Sequence, residues 1–436
     1  MITLPNTPFP ILQISRAVNP SQPQYIREIL TKRLSVNTTN SSTSLFISNL
    51  EEYLNLIYTV IVQTEGIGYE EVLKFSESIE FNESIPWILP FSTGNKFKSI
   101  VWRLSDEITT VLVNLIFAYN LRSSEIILKA LSNYQGSLLD EKESQQLWIS
   151  CFKFYKKSLE YLNFLKSCNN TSNDLIFETS ANFTNFLENL ISISIQLTFL
   201  SKSIWSLKLT EYDVSLKSNT NYSTLSRVAI FVRDQTKLMI NGLRSQNIDS
   251  DSWLGFLENL VKLNNAYIGT FLSIENYKLD HIGKSIGFLN IAIENITKKS
   301  ASDDDLNDEF DNDSKLKKKF STFKQKLNKS NSNDKVKKVK NNLKINSKIY
   351  ENLQNQTLQK SITYLFELVK ILNLKYNLEN NNLKFDIVMN SSELYQNHLP
   401  TGRSVPITDR SVSWIPDVFT RSSTDQQNSQ TQGQYY

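Results

Sequence analysis

All ten prolines of this 436-residue chain fall before residue 91 or after residue 399. Proline inside a helix removes a backbone donor and clashes with the preceding turn, so so long a proline-free stretch permits a succession of long helices. The apolar spacing agrees. In SQQLWISCFKFYKKSLEYLNFL, Leu147, Cys151, Phe154, Tyr161 and Leu165 recur at intervals of three, four and seven residues, which is one helix face. Similar stripes run through VWRLSDEITTVLVNLIFAYNL, TNFLENLISISIQLTFLSKSIWSL, YSTLSRVAIFVRDQTKLMINGL and WLGFLENLVKLNNAYIGTFLSIENY. The breaks between them, such as SCNNTSND and RSQNIDSDS, are short and polar. Short connections make successive helices antiparallel neighbours, as in helical hairpins and solenoids. No fixed sequence period is visible, which argues against a consensus repeat array.

The regions outside these stripes differ in kind. Residues 1 to 20 are proline-rich and alternating, and predict short strands or extended arms. Residues 301 to 340 pass from ASDDDLNDEFDND to KLKKKFSTFKQKLNKSNSNDKVKKVK. An acidic block followed by a basic one predicts a charged, disordered insertion, and its lysines read as a solvated linker rather than a membrane patch. A helix resumes through IYENLQNQTLQKSITYLFELVKILNL. After ENNN the chain turns extended, and the stiff run NHLPTGRSVP spans Asn397 to Pro406. Residues 421 to 436 are rich in Gln and Ser and predict a disordered tail.

Signals for chemistry are sparse. The net charge of +3 gives no electrostatic case for nucleic acid. Cys151 and Cys168 form neither a disulfide framework nor a zinc spacing, which fits a reducing, cytoplasmic setting. His281 and His398 are the only histidines and stand far apart. No phosphate-cradling glycine loop or zinc-protease motif occurs, so no metal, no cofactor and no catalytic residue is expected. The N-terminus does not read as a secretory signal. The stretch LFISNLEEYLNLIYTVIV is broken by Glu51 and Glu52 and is expected not to cross a bilayer. These readings together predict a soluble, intracellular, non-catalytic helical scaffold.

The order of elements carries more. LSDEITTVLVNLIFAYNLRSSE leads to LWISCFKFYKKSLEYLNFL and then to a helix ending LTFLSKSIWSLKL. YKLDHIGKSIGFLNIAIENI sets Gly283 before a stripe of Ile286, Leu289 and Ile293, and the last long helix runs into ENNNLKFDIVMNSSELYQNHLPTGR. This order resembles the BRO domain of ALIX-type endosomal adaptors, and LPTGR is most similar to its branch of fungal pH-response regulators. Two departures are the charged insertion and Met389-Asn390, where many relatives carry Val-Pro.

The resemblance covers residues 1 to 420 as one domain and implies a mainly α fold. Its form would be an elongated, curved helical-hairpin (TPR-like) solenoid with short N-terminal strands and an extended C-terminal strap. It leaves no room for the coiled-coil arm or proline-rich tail of longer relatives. It implies a non-catalytic adaptor that binds the C-terminal amphipathic helix of the polymer-forming ESCRT-III subunit. The setting would be ambient (alkaline) pH signalling that ends in proteolytic activation of a transcription factor, with other pH-signalling proteins as partners. Recruitment would be from the cytoplasm to endosomal or cortical plasma-membrane ESCRT sites, touching membrane only through partners. An adaptor in endosomal cargo sorting and an unrelated helical-repeat scaffold are the alternatives. By position the partner-binding residues are Leu225, Val228, Leu399 and Arg403. Gly283 and Gly402 are expected at structural turns, and the planar fork of Arg403 suits a carboxylate or helix-end carbonyls.

Overall fold

The computed structural model describes residues 22–36, 42–81, 86–87, 91, 101–132, 138–168, 177–214, 220–246, 248, 251–297, 343–352, 355–406 and 412–419. The expectations for residues 1–20, 301–340 and 421–436 lie outside these.

The described chain is mainly helical. Helices α1 (Gln24–Val36), α2 (Thr43–Glu65) and α3 (Tyr69–Ser78) precede a two-stranded antiparallel pair, β1 (Glu80–Phe81) and β2 (Trp102–Arg103). Then come α4 (Leu104–Ser132), α5 (Leu138–Cys168), α6 (Ala181–Leu209), α7 (Tyr222–Ser245), α8 (Asp251–Lys278) and α9 (Ile282–Ile296). The short α10 (Ser347–Asn352), the long α11 (Gln356–Glu379) and α12 (Ser391–Asn397) complete the series. Capping explains several starts: Ser42, Ser180 and Asn221 each accept a backbone N–H from the first turn of α2, α6 and α7.

Consecutive helices pack on one another: α4 on α5, α5 on α6, α6 on α7, α7 on α8 and α8 on α9. That is the row the short polar breaks predict. Helix α11 departs from a simple row because it turns back over α9, α6 and α4. Its Thr357 meets Ser124 of α4 at 2.9 Å, and Tyr364 donates to the Leu131 carbonyl at 2.6 Å. Lys208 of α6 pairs with its Glu367 at 3.1 Å.

A polar hub organises the N-terminal end. Fully buried Glu107 accepts hydrogen bonds from Arg33 (3.3 Å), Tyr53 (2.8 Å), Trp87 (3.0 Å) and Trp102 (2.7 Å). One carboxylate thereby fixes α1, α2 and β2 against α4. Satisfying it with four donors offsets the cost of burying a charge.

The expectation for the membrane needs correction. Helix α2 is long and apolar enough to cross a bilayer despite Glu51 and Glu52, as are α4 and α6. The apolar faces are used internally: half of that window of α2, and 78% of those of α4 and α6, are buried. Glu51 of α2 accepts from Tyr119 at 2.6 Å and Tyr161 at 2.7 Å, so it joins helices rather than interrupting a span.

Candidate functional site

The C-terminal segment is laid back across the helix row. Helix α11 closes in a π turn over Asn380–Lys384, and Phe385 takes a left-handed φ of 57°. Buried Asn380 then clamps Asp386 on both sides: its Oδ1 accepts the backbone N–H at 2.9 Å and its Nδ2 donates to the carbonyl at 3.0 Å. This turns the chain onto α9. There Asp386 Oδ2 accepts the Gly283 N–H at 3.2 Å, and the Met389 N–H donates to the Gly283 carbonyl at 3.4 Å.

From α9 the strap crosses its neighbours in reverse order. Leu394 of α12 is fully buried, and Tyr395 donates to Asn265 of α8 at 3.1 Å while accepting from Arg233 of α7 at 3.2 Å. The Arg403 N–H then donates to the Arg227 carbonyl of α7 at 3.0 Å. Gln196 of α6, fully buried, holds Val405 by a two-way amide clamp of 2.9 and 3.0 Å. Beyond that, Asn163 of α5 donates to the Val412 carbonyl at 2.9 Å. The Trp414 ring packs against Phe164 and Tyr161 of α5 and Tyr58 of α2, with centroids 4.9, 5.5 and 6.0 Å away. The Asp417 N–H ends on Asn55 of α2 at 3.1 Å.

The expected site residues divide. Leu225 is half-buried on α7, two residues from the carbonyl that receives the strap, and Leu399 is half-buried in the strap itself. The Arg403 side chain is exposed, and what anchors this residue is its backbone N–H. Val228 is 1% exposed, so it packs in the core and presents nothing to a partner. Neither glycine sits at a turn: Gly283 lies inside α9 and Gly402 within the non-helical run of the strap, and neither has a positive φ. They permit close approach instead. A Cβ on Gly402 would sit 2.9 Å from the Phe231 nitrogen, and one on Gly283 would collide with the Ile387 carbonyl.

Sequence reasoning missed Gly287, where a Cβ would lie 2.6 Å from the Met389 oxygen, although its four-residue spacing from Gly283 marks a flat helix face. Asn380, Gln196, Asn163 and Trp414 carried no signal, because three of the four act on residues hundreds of positions away and the clamp at Asn380 depends on a π turn. Both cysteines are buried, and burial pushes their thiols up to about 12, which leaves no thiolate for nucleophilic chemistry.

Residues 102–436 match a family described as "Family of unknown function (DUF5355)". The chain belongs to that family. No curated protein matches it. Among solved structures, this DUF5355 chain is similar to the ALIX BRO1–CHMP4C complex, at 13% identity and a TM-score of 0.49, over 91% of this chain and 90% of that one. It is similar also to ALIX in complex with the SIVmac239 PYKEVTEDL late domain, at 11% identity and a TM-score of 0.49, over 93% of this chain and 48% of that one. A third structure, solved as the basis for endosomal targeting by the Bro1 domain, matches at 11% identity and a TM-score of 0.43, over 91% of this chain and 81% of that one.

Proposed function

We propose that this chain is a non-catalytic adaptor of BRO-domain type, and that the surface where the strap crosses α7 receives an amphipathic helix. The partner is the C-terminal helix of the polymer-forming ESCRT-III subunit. The observation that carries the reading is the strap itself. Leu399 to Val405 is tied to α7 and α6, so distant parts of the chain contribute to this surface, with half-buried Leu399 in the strap and half-buried Leu225 on α7 two residues from the carbonyl that holds Arg403. Helix-in-groove recognition needs an apolar edge with charged groups at its rim. The LPTGR run supports the finer reading of a regulator resembling PalC in alkaline-pH signalling, reached from the cytoplasm at endosomal or cortical sites. Growth at alkaline pH against vacuolar cargo sorting in a deletion strain separates this from a sorting adaptor.

The site is tested by Leu225→Asp. The variant should weaken capture of the ESCRT-III helix more than about tenfold, as for a buried apolar anchor. Helical content and melting temperature should stay as in the wild type. An equal loss of stability would assign Leu225 to the core and remove it from the site.

A further inference from the structure

Leu383, Phe385, Ile387 and Val388 are 72, 72, 90 and 42% exposed, four large apolar side chains within six residues. Other exposed hydrophobics, such as Leu45, Ile149 and Leu238, stand singly, as is normal for a surface. Contacts fix which way the ribbon faces. Asp386 Oδ2 accepts the Gly283 N–H at 3.2 Å, the Ile387 carbonyl lies against Gly283, and the Met389 N–H reaches the Gly283 carbonyl at 3.4 Å. The inner side of this ribbon is therefore taken by α9, and the side chains left exposed lie on its outer side. Lys384 Nζ pairs with Asp280 Oδ2 at 2.7 Å, so Leu279, exposed and next to Asp280 in the chain, borders the same ion pair. Both Asp280 and Phe385 have left-handed backbones, with φ of 63° and 57°. An Asp tolerates that conformation, whereas a bulky aromatic residue is disfavoured in it. A strained backbone that holds a phenyl ring in water is a cost to the isolated chain, and it marks a face that something covers.

The charges decide what covers it. Between Leu279 and Lys284 and between Lys375 and Met389, the lysines Lys284, Lys375 and Lys384 balance the acids Asp280, Glu379 and Asp386. A face without net charge has no electrostatic attraction to an anionic lipid surface. An apolar strip bordered by one exposed cation and one exposed anion is instead complementary to itself. Turned about a two-fold axis, Lys384 of each copy meets Asp280 of the other while the apolar side chains are covered in common. We propose that this outer face of the strap pairs with the same face of a second copy of the chain. None of its residues belongs to the surface where the strap crosses α7, so the proposal stands independently of the adaptor reading. Five apolar side chains make a small interface by the standard of about 800 Å² per partner, so the association expected is weak, in the micromolar range.

The test is sedimentation velocity of the full chain across micromolar concentrations, where wild type should show a reversible monomer–dimer equilibrium. Phe385→Asn removes the ring but supplies a residue that tolerates the left-handed backbone. Combined with Ile387→Ser, it should weaken dimerisation by about tenfold or more at unchanged helical content. Lys384→Glu and Asp280→Lys should each dimerise more weakly than wild type. An equimolar mixture of these two single variants should recover the dimer, because only the mixed pair sets opposite charges across the axis. The proposal is overturned if wild type stays monomeric throughout, if Phe385→Asn with Ile387→Ser dimerises as wild type does, or if the mixture associates no better than its components. A monomeric wild type that floats with phosphatidylcholine vesicles, and no longer does so in the double variant, would overturn it too and give the face to lipid.

Discussion

Asp106 sits in the first turn of α4 with only 1% of its surface exposed. Its Oδ2 accepts the Arg103 N–H at 3.1 Å, which caps the helix start. Burial nevertheless pushes its pKa up to about 6, outweighing the Arg103 hydrogen bond and charge that lower it, and the neighbouring Glu107 adds to the rise. The sign follows from linkage. Between the ordinary carboxylate value and about 6 the folded state holds more protons than the unfolded one, so stability falls as pH rises through that window. By neutral pH the loss is on the order of 3 kcal/mol. Asp106→Asn keeps an acceptor for Arg103 and removes the titration. Chemical denaturation should find the variant more stable than wild type at pH above the window and equal to it well below. Equal stability at both would show that Asp106 is solvated. Trp87, Trp102 and Arg33 close over the neighbouring Glu107, and no local pattern in the sequence announces that burial.

At the scale of elements, the helices were legible because periodicity is local. The stripe through Leu147, Cys151 and Tyr161 became α5, and the short breaks placed α4 to α9 as packed neighbours. The strap was legible in part. Its proline and glycine punctuation marks a stiff non-helical ribbon, but its partners are chosen by tertiary contact. That is why Gly402 and Gly283 were expected at turns and are found under crossing backbone. The return of α11 over α4 and α6 was hidden for the same reason, since Ser124 and Thr357 are far apart in the chain. Close approach makes a prediction. Gly402→Ala must push the strap off α7 or move Phe231, an overpacking that costs about 1–3 kcal/mol. Trypsin should then cut faster after Arg403 than in wild type. Gly255→Ala, on α8 with nothing within 4 Å of the new methyl, serves as control and should leave that rate unchanged. Equal rates in wild type and Gly402→Ala would mean the crossing has room to spare.

For the whole molecule, the strap changes the kind of cooperativity the row can have. A helical row in which each element touches only its neighbours can fray from either end. Here one ribbon touches α9, α8, α7, α6, α5 and α2 in turn, so the two ends of the row are tied through contacts independent of the helices between them. Trp414 is the last large anchor, 9% exposed and seated against Tyr58, Tyr161 and Phe164. Trp414→Ala removes that ring while leaving the Gly283, Tyr395 and Gln196 anchors in place. The expected loss is about 3 kcal/mol, the lower end for truncating a buried aromatic because the ring lies at the edge of the core. Hydrogen exchange should report where it falls. Amides of α2 and of the C-terminal half of α5 should lose protection first, while α8 and α9, still held by the strap between Asp386 and Val405, should keep theirs. A uniform loss across the row would show the strap acting as a single all-or-none unit. Binding at α7 would then depend on Trp414, since releasing the far end of such a unit would free Leu399 and Arg403 as well.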